Sequence, residues 1–245
     1  MDAQQPTRSL ETLPAELRRC LLSNLHLAQL SALVHASPVY HQQYLVDRKY
    51  LLSRSIEQTL GSVAADALFV HELETKPKVE RVDAELLKRY SENASRRRLP
   101  YGNDHSQAEN VDIAAFHLRY VEPLATHYAH SLLENLAGEA NSDKGKHVPT
   151  ASEMVRLTRA MYRFQLLCQL AGPAGRTYPN DPREDSYTAL INLMEPWEVE
   201  ELLSFYQFAR GSYEKILNDV RWDFHEDNPR FAEKFDPQPR KGPLI

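Results

Sequence analysis

Apolar side chains in this chain recur at spacings of three and four, which is the repeat of one face of an α-helix. An early example is the run Leu17, Leu21 and Leu25. Because Ser37 directly precedes Pro38, we predict that Ser37 caps a further helix with proline in its first turn. The N-terminal part is therefore predicted to form three helices, over residues 13–25, 27–34 and 37–53.

The same spacing continues along the rest of the chain and is interrupted by short segments rich in proline, glycine, asparagine and aspartate. Thr150 and Glu153 are spaced as a capping box and predict the start of one helix. Pro123 predicts a bend or restart within another, and Gly211 predicts a defect in the last. The helices predicted for this part are residues 56–73, 79–95, 111–137, a helix from the capping box at Thr150 to a stop at Gly172-Pro173, and residues 186–194 and 196–224.

The composition agrees with a chain made of helices. The 245 residues include only 8 glycines, whereas sheet-rich folds use more glycine for turns and close backbone approach. Leucine, alanine, glutamate and arginine dominate, and these are good helix formers. The predicted fold is all-α, with an N-terminal three-helix module packed on a larger, irregular helical domain. The predicted divisions are disordered residues 1–10, the module at 11–54, the helical domain at 55–226 and an extended, proline-rich tail at 227–245.

Charge and targeting signals narrow the partners and the compartment. The net charge of −5 opposes binding to phosphate backbones, so no nucleic-acid partner is expected. No segment has the roughly 18 apolar residues of a membrane span, and the N-terminus lacks the basic and apolar segments of a secretory signal. Cys20 and Cys168 lie in apolar helical patterns and are expected to be buried thiols. A cytoplasmic or nuclear protein without a membrane partner is predicted.

The N-terminal leucine pattern resembles a known family. Its residues are a Leu-Pro-x-Glu-Leu motif, a leucine pair and further spaced leucines, namely Leu13, Pro14, Glu16, Leu17, Leu21, Leu22, Leu25, Leu30, Leu33 and Val34. Over residues 10–54 this pattern resembles an F-box domain, of the variant found in filamentous ascomycetes. His26 and Gln29 stand where the family often has a proline and an acidic residue. Tyr40 or Tyr44 stands in for its usual tryptophan.

The resemblance implies a protein-interaction function without a cofactor. F-box proteins place the leucine face of their first two helices on the Skp-type adaptor of cullin–RING ubiquitin ligases, and their C-terminal region captures a substrate. Carried over by position, the partner-binding residues are Leu13, Pro14, Leu17, Leu21, Leu22, Leu25, Leu30 and Leu33.

A second interpretation uses the same leucines differently. In a self-contained helical scaffold or regulator they would form the core between the module and the following helices. An adaptor-binding protein should expose a leucine face over residues 13–34. A scaffold should instead cover that face with residues 56–73 or with the last helix.

Three histidines of the helix over residues 111–137 suggest a third, less favoured interpretation, an unusual helical enzyme with a cavity around His117, His127 and His130. A helical di-metal site needs Glu-x-x-His on two helices, and here Leu124 stands three positions before His127. No zinc, nucleotide-binding or nucleophile motif is present. No catalytic residue, metal ligand or cofactor is therefore predicted.

Aromatic residues crowd into about the last fifty positions. Trp197, Phe205 and Phe208 are expected in the core, because large aromatics supply burial first and interface anchors second. The three nearest the proline-rich tail are candidates for a second interface: Trp222, Phe231 and Phe235.

Overall fold

The computed structural model describes residues 10–75, 84–95, 106–140, 148–171, 182–225 and 227–232. Within these ranges all regular structure is helical and no strand occurs, which confirms the predicted all-α class. None of the described helices has a stretch long and apolar enough to cross a bilayer.

Eleven α-helices are numbered along the described chain, together with four shorter helical turns. The α-helices are α1 (Ala15–Ser23), α2 (Leu27–Ala36), α3 (Pro38–Leu60), α4 (Ala64–Thr75), α5 (Ala84–Ser95), α6 (Gln107–Phe116), α7 (Glu122–Ala140), α8 (Ala151–Ala171), α9 (Pro182–Asn192), α10 (Pro196–Val220) and α11 (Pro229–Ala232). Turns of 3-10 helix span Leu10–Thr12, Gly61–Val63 and Arg221–Phe224, and a π-helical turn spans His117–Val121.

The first three helices form the N-terminal module, in which α1 and α2 both pack on α3. Ser37 caps α3 by accepting a hydrogen bond from the Tyr40 N–H at 3.5 Å, with Pro38 in the first turn as predicted. However, α3 does not end near residue 53. No helix-breaking residue follows there, and the helix continues to Leu60, where Gly61 ends it with a φ of 50°.

Because α3 crosses residue 54, one helix belongs both to the module and to the helices that follow. Its contacts beyond the module include α6 and α4. Helix α8 is the centre of this second group, since α4, α7 and α9 all pack on it. Its fully buried side chains include Tyr162 and Leu166.

Capping residues and proline set several of these boundaries. Glu153 accepts a hydrogen bond from the Thr150 N–H at 2.7 Å before α8, so the predicted capping box is confirmed. The predicted interruption near Pro123 is the π turn directly before α7, where a ring without an N–H donor would strain a regular turn. The helix predicted to start at residue 111 starts earlier, because Ser106 and Glu109 form a capping box before α6.

Tertiary contacts divide the chain into two compact units, Met1–Phe205 and Tyr206–Ile245. In the second unit the helix runs through Gly211 without the predicted defect. Part of the predicted extended tail is helical, because Pro229–Ala232 forms a turn of helix. The rest of that tail and predicted disordered residues 1–9 lie outside the described residues, and Leu10 begins a 3-10 turn.

Candidate protein-interaction surface

The positions carried over from the family resemblance differ in burial. Leu22 and Leu30 are buried, at 0% and 3% exposure. Leu17 is 54% exposed, and Pro14 is exposed as well. The remaining four are half-buried: Leu13, Leu21, Leu25 and Leu33. The leucines are therefore neither a fully exposed face nor a fully buried core.

The buried leucines are covered from within the module itself. Their cluster consists of Leu22, Leu30, Val34, Tyr40 and Leu51, with Leu21, Leu25, Leu33 and Tyr44 packed against it. All of these residues belong to α1, α2 and α3, except Leu25, which lies in the connection between α1 and α2. Within the described residues, the members of this cluster outside the leucine pattern are α3 side chains, and none of its members lies in residues 56–73 or in the last helix, where the scaffold interpretation expected the cover.

Two hydroxyl groups of α3 hold the connection between α1 and α2. Ser55, which is fully buried, donates a hydrogen bond to the Leu25 carbonyl at 2.8 Å. Thr59 accepts one from the Leu27 N–H at 2.8 Å. Both lie beyond the predicted end of the third helix, so sequence reasoning missed them. A serine and a threonine four positions apart on an apolar helix face were the available signal.

Two further side chains, at the N-cap and in the first turn of α3, hold the N-terminal turn before α1. The Tyr40 hydroxyl donates to the Leu10 carbonyl at 3.0 Å, and the Ser37 hydroxyl donates to the Glu11 carboxylate at 2.5 Å. From α1, Arg18 donates to the carbonyls of Glu11 and Leu13, both at 3.1 Å. This turn carries Leu10, which is nonetheless 61% exposed.

The departures from the family pattern have local roles. The His26 N–H donates to the Gln29 side-chain oxygen at 3.2 Å, which satisfies a donor at the start of α2. Tyr40 is 1% exposed and fills the module core, whereas Tyr44 is only half-buried at its edge. Tyr40 is thus the tyrosine that occupies an interior aromatic position.

A second group of exposed apolar side chains lies on α3. Leu45 is 54% exposed and Val46 is 82% exposed. They precede Asp47, where the backbone departs from helical angles with φ −106° and ψ 17°. Asp47 faces α1 through an ion pair with Arg19 at 3.5 Å, and the Arg19 guanidinium also lies 4.5 Å from the centre of the Tyr50 ring.

The histidines expected to converge in an enzyme do not share an environment. His117 is 5% exposed, and its Nδ1 lies 3.2 Å from the Tyr162 hydroxyl. Burial lowers the pKa of His117 to about 4. His127 and His130 are exposed, and His130 pairs with Glu134 at 3.1 Å. Across the described ranges, no group of three His, Cys, Asp or Glu side chains is placed to hold a metal ion.

The cysteines were predicted to be buried, and this was wrong. Cys20 and Cys168 are exposed free thiols. The buried stripe of α1 runs through Leu22, and that of α8 runs through Leu166 and Leu170. Each thiol lies beside its stripe instead of within it.

A buried charge network joins four helices of the first unit. Asp66 of α4 is 2% exposed and accepts hydrogen bonds from the Tyr90 hydroxyl of α5 at 2.6 Å and from Arg163 Nε of α8 at 3.2 Å. Burial raises the pKa of Asp66 even though the Arg163 guanidinium acts in the opposite direction. Arg163 also lies 2.8 Å from Glu198 of α10.

The same network continues toward the surface as a ladder between α8 and α10. Arg159 lies 3.5 Å from Glu198 and 2.8 Å from Glu201, and Arg156 lies 2.6 Å from Glu201. Each of these charges has an opposite partner, which is typical of a structural network. Sequence reasoning missed it, although Arg156, Arg159 and Arg163 share one face of α8.

The aromatic residues expected in the core differ from one another. Phe205 is 2% exposed and contacts Tyr128 and Phe164 edge to face, with ring centroids 5.4 and 5.3 Å apart. Phe208 is half-buried. Trp197 is 58% exposed, so its predicted core position was wrong. It occupies the first turn of α10, where the buried face is formed by Leu202 and Phe205.

Of the predicted second interface, only Trp222 has a described side chain. It is 57% exposed and stacks on His225, with ring centroids 5.3 Å apart. Its carbonyl accepts hydrogen bonds from the His225 N–H at 3.1 Å and from the Asn228 side chain at 2.8 Å. The Phe231 side chain and Phe235 lie outside the described residues.

Comparison with known proteins finds no matching family model, no matching curated protein and no matching solved structure. The functional interpretation therefore depends on the residues and the geometry described above.

Proposed function

We propose that this protein is an F-box-like protein-interaction protein whose α1–α2 leucine face binds the Skp-type adaptor of a cullin–RING ubiquitin ligase. The leucine face comprises the positions that keep exposed surface: Leu13, Pro14, Leu17, Leu21, Leu25 and Leu33. Such a protein would act in the cytoplasm or nucleus. No catalytic group or cofactor enters this function.

The division of the leucines is the observation that supports the proposal. Leu22 and Leu30 supply the module core together with α3, so the module does not need Leu17 for burial. A leucine left 54% exposed beside an exposed proline is apolar surface available to a protein partner. Within the Leu-Pro-x-Glu-Leu motif, Pro14 is the N-cap residue of α1 and Leu17 lies in the first turn of that helix.

Trp222 is the described part of a proposed second surface, for the protein that the adaptor complex would recruit. Tryptophan is enriched among the residues that dominate binding energy at interfaces. Its turn is held by backbone and side-chain hydrogen bonds, yet more than half of its surface stays exposed.

One feature favours the self-contained scaffold as a second candidate. Helix α3 belongs to both the module and the following helices, and its Ser55 and Thr59 fix the α1–α2 connection. A scaffold of this kind would need no adaptor. It would lose stability, and not a binding partner, when its leucines are changed.

A binding experiment with matched variants separates the two candidates. Purified full-length protein is titrated with a purified fungal Skp-type adaptor by calorimetry, alongside Leu17→Asp and Leu45→Asp. Both leucines are 54% exposed in the same module, so either aspartate should be tolerated by the fold. We expect Leu17→Asp to weaken binding at least about tenfold, since a charge then enters an apolar contact. Leu45→Asp should bind as the wild type does.

Circular dichroism and urea unfolding accompany both variants. If neither the wild type nor Leu45→Asp binds the adaptor, the proposed function is contradicted. If Leu17→Asp also unfolded while Leu45→Asp did not, the scaffold candidate would be favoured.

A further inference from the structure

The 3-10 turn Leu10–Thr12 is held by several hydrogen bonds from residues outside it. Its Leu10 carbonyl accepts from both the Tyr40 hydroxyl at 3.0 Å and the Leu13 N–H at 3.3 Å. The Ser37 hydroxyl donates to the Glu11 carboxylate, and Arg18 donates to the Glu11 carbonyl. The turn is therefore fixed against both α3 and the start of α1.

The residues that fix the turn come from the interior of the module. Tyr40 is 1% exposed and Ser37 is 6% exposed. The Tyr40 ring packs with Leu22 and Leu51, while its hydroxyl reaches the turn. The hydroxyl group of a core side chain thus binds the backbone of an apolar residue, Leu10, that the module itself leaves 61% exposed.

We infer that Leu10 extends the leucine face and that Tyr40 and Ser37 are positioning residues which order this turn before the partner binds. The inference depends on the proposed function, because the partner is the same adaptor that contacts Leu17. Arg18, one residue after Leu17, binds the carbonyls of Glu11 and Leu13, which places the turn against that end of α1. An ordered turn binds more tightly than a free one, since the cost of ordering it is already met in the unbound protein.

The test removes the tyrosine hydroxyl and keeps the ring. Tyr40→Phe in the full-length protein is compared with Tyr162→Phe, a matched control with the same 1% exposure, whose hydroxyl contacts His117 instead. We expect Tyr40→Phe to weaken adaptor binding about threefold to tenfold, in proportion to one lost hydrogen bond. Tyr162→Phe should leave the affinity unchanged. Leu10→Asp should weaken binding at least about fivefold while circular dichroism stays the same.

Amide hydrogen exchange distinguishes a loss of order in this turn from a general loss of stability in the module. The Leu13 N–H donates to the same carbonyl as Tyr40, so it should exchange faster in Tyr40→Phe, while the α3 amides near Leu51 keep their protection. If the wild type binds the adaptor and Leu17→Asp does not, but Tyr40→Phe and Leu10→Asp both bind normally, this inference is overturned and the proposed function stands. A wild type that does not bind at all would instead remove the proposed function, and the inference with it.

Discussion

At the scale of single residues, His117 is the group whose titration should be visible in the stability of the whole protein. It lies on the π turn before α7 and is 5% exposed beside Tyr162. Burial lowers its pKa to about 4, whereas an unfolded histidine titrates near 6.5. The unfolded chain therefore takes up a proton at a higher pH than the folded protein does.

The direction in which stability changes with pH follows from that difference between the two pKa values. Between these two pKa values protonation favours the unfolded state, so the contribution of His117 to stability is greatest at neutral pH and is lost as the pH falls. We predict that the free energy of unfolding drops by about 2 kcal/mol between pH 7 and pH 5 because of His117 alone. Urea unfolding followed by circular dichroism at several pH values measures this.

A variant isolates the contribution of this one histidine. His117→Gln keeps a polar group that reaches the Tyr162 hydroxyl and cannot be charged. Between pH 7 and pH 5, its free energy of unfolding should fall by about 2 kcal/mol less than that of the wild type. Equal pH dependence in both proteins would show that His117 is not held in its neutral form by burial.

At the scale of elements, two glycines at helical positions should respond oppositely to the same substitution. A Cβ at Gly61 or at Gly211 would meet no atom within 4 Å, so steric crowding does not distinguish them. Gly61 ends α3 with a φ of 50°, a conformation that alanine adopts at a cost. Gly211 lies inside α10 with ordinary helical geometry.

We predict that Gly61→Ala destabilises the protein by about 1 to 3 kcal/mol. Gly211→Ala should stabilise its helix by about 0.5 to 1 kcal/mol, because alanine loses less backbone entropy in a helix. Urea unfolding reports the first change. Slower amide exchange around residue 211 in Gly211→Ala reports the second change. Faster exchange of these amides in that variant would contradict the prediction.

Helix starts were easier to predict than helix ends. Ser37-Pro38 and Thr150 with Glu153 gave correct starts because capping is a local interaction between residues a few positions apart. The end of α3 depends on a backbone angle at Gly61, and glycine alone does not indicate whether that angle is adopted. The interruption at Pro123 was predicted, but its form as a π turn was not.

Over the whole molecule, the spacing of apolar residues predicted the apolar face of each helix but not which other segment covers that face. Leu17 and Leu22 both belong to the N-terminal leucine pattern, yet Leu17 is exposed and Leu22 is fully buried. That distinction arises when α3 packs on α1 and α2, which is a contact between segments far apart in sequence. The charge network was not predicted for the same reason, because Arg163 and Asp66 are 97 positions apart in the sequence.

The first half of α10 should be indispensable to the first unit, and truncation tests this at the scale of the molecule. A chain ending at Arg210 keeps every described contact within Met1–Phe205 and one further turn against fraying. A chain ending at Glu195 loses Leu202 and Phe205, both buried. It also loses Glu198 and Glu201, the partners of three α8 arginines.

We predict that the longer chain unfolds cooperatively in urea and that the shorter chain does not. Removing one buried side chain such as Phe205 costs about 3 to 5 kcal/mol, and leaving a buried Arg163 with one fewer carboxylate adds to this. Together these losses approach the total stability of an ordinary domain, about 5 to 15 kcal/mol. Circular dichroism and tryptic digestion of both chains measure the difference. Equal cooperativity would mean that α8 with its buried arginines is stable without α10, and that the α8–α10 ladder contributes little to the fold.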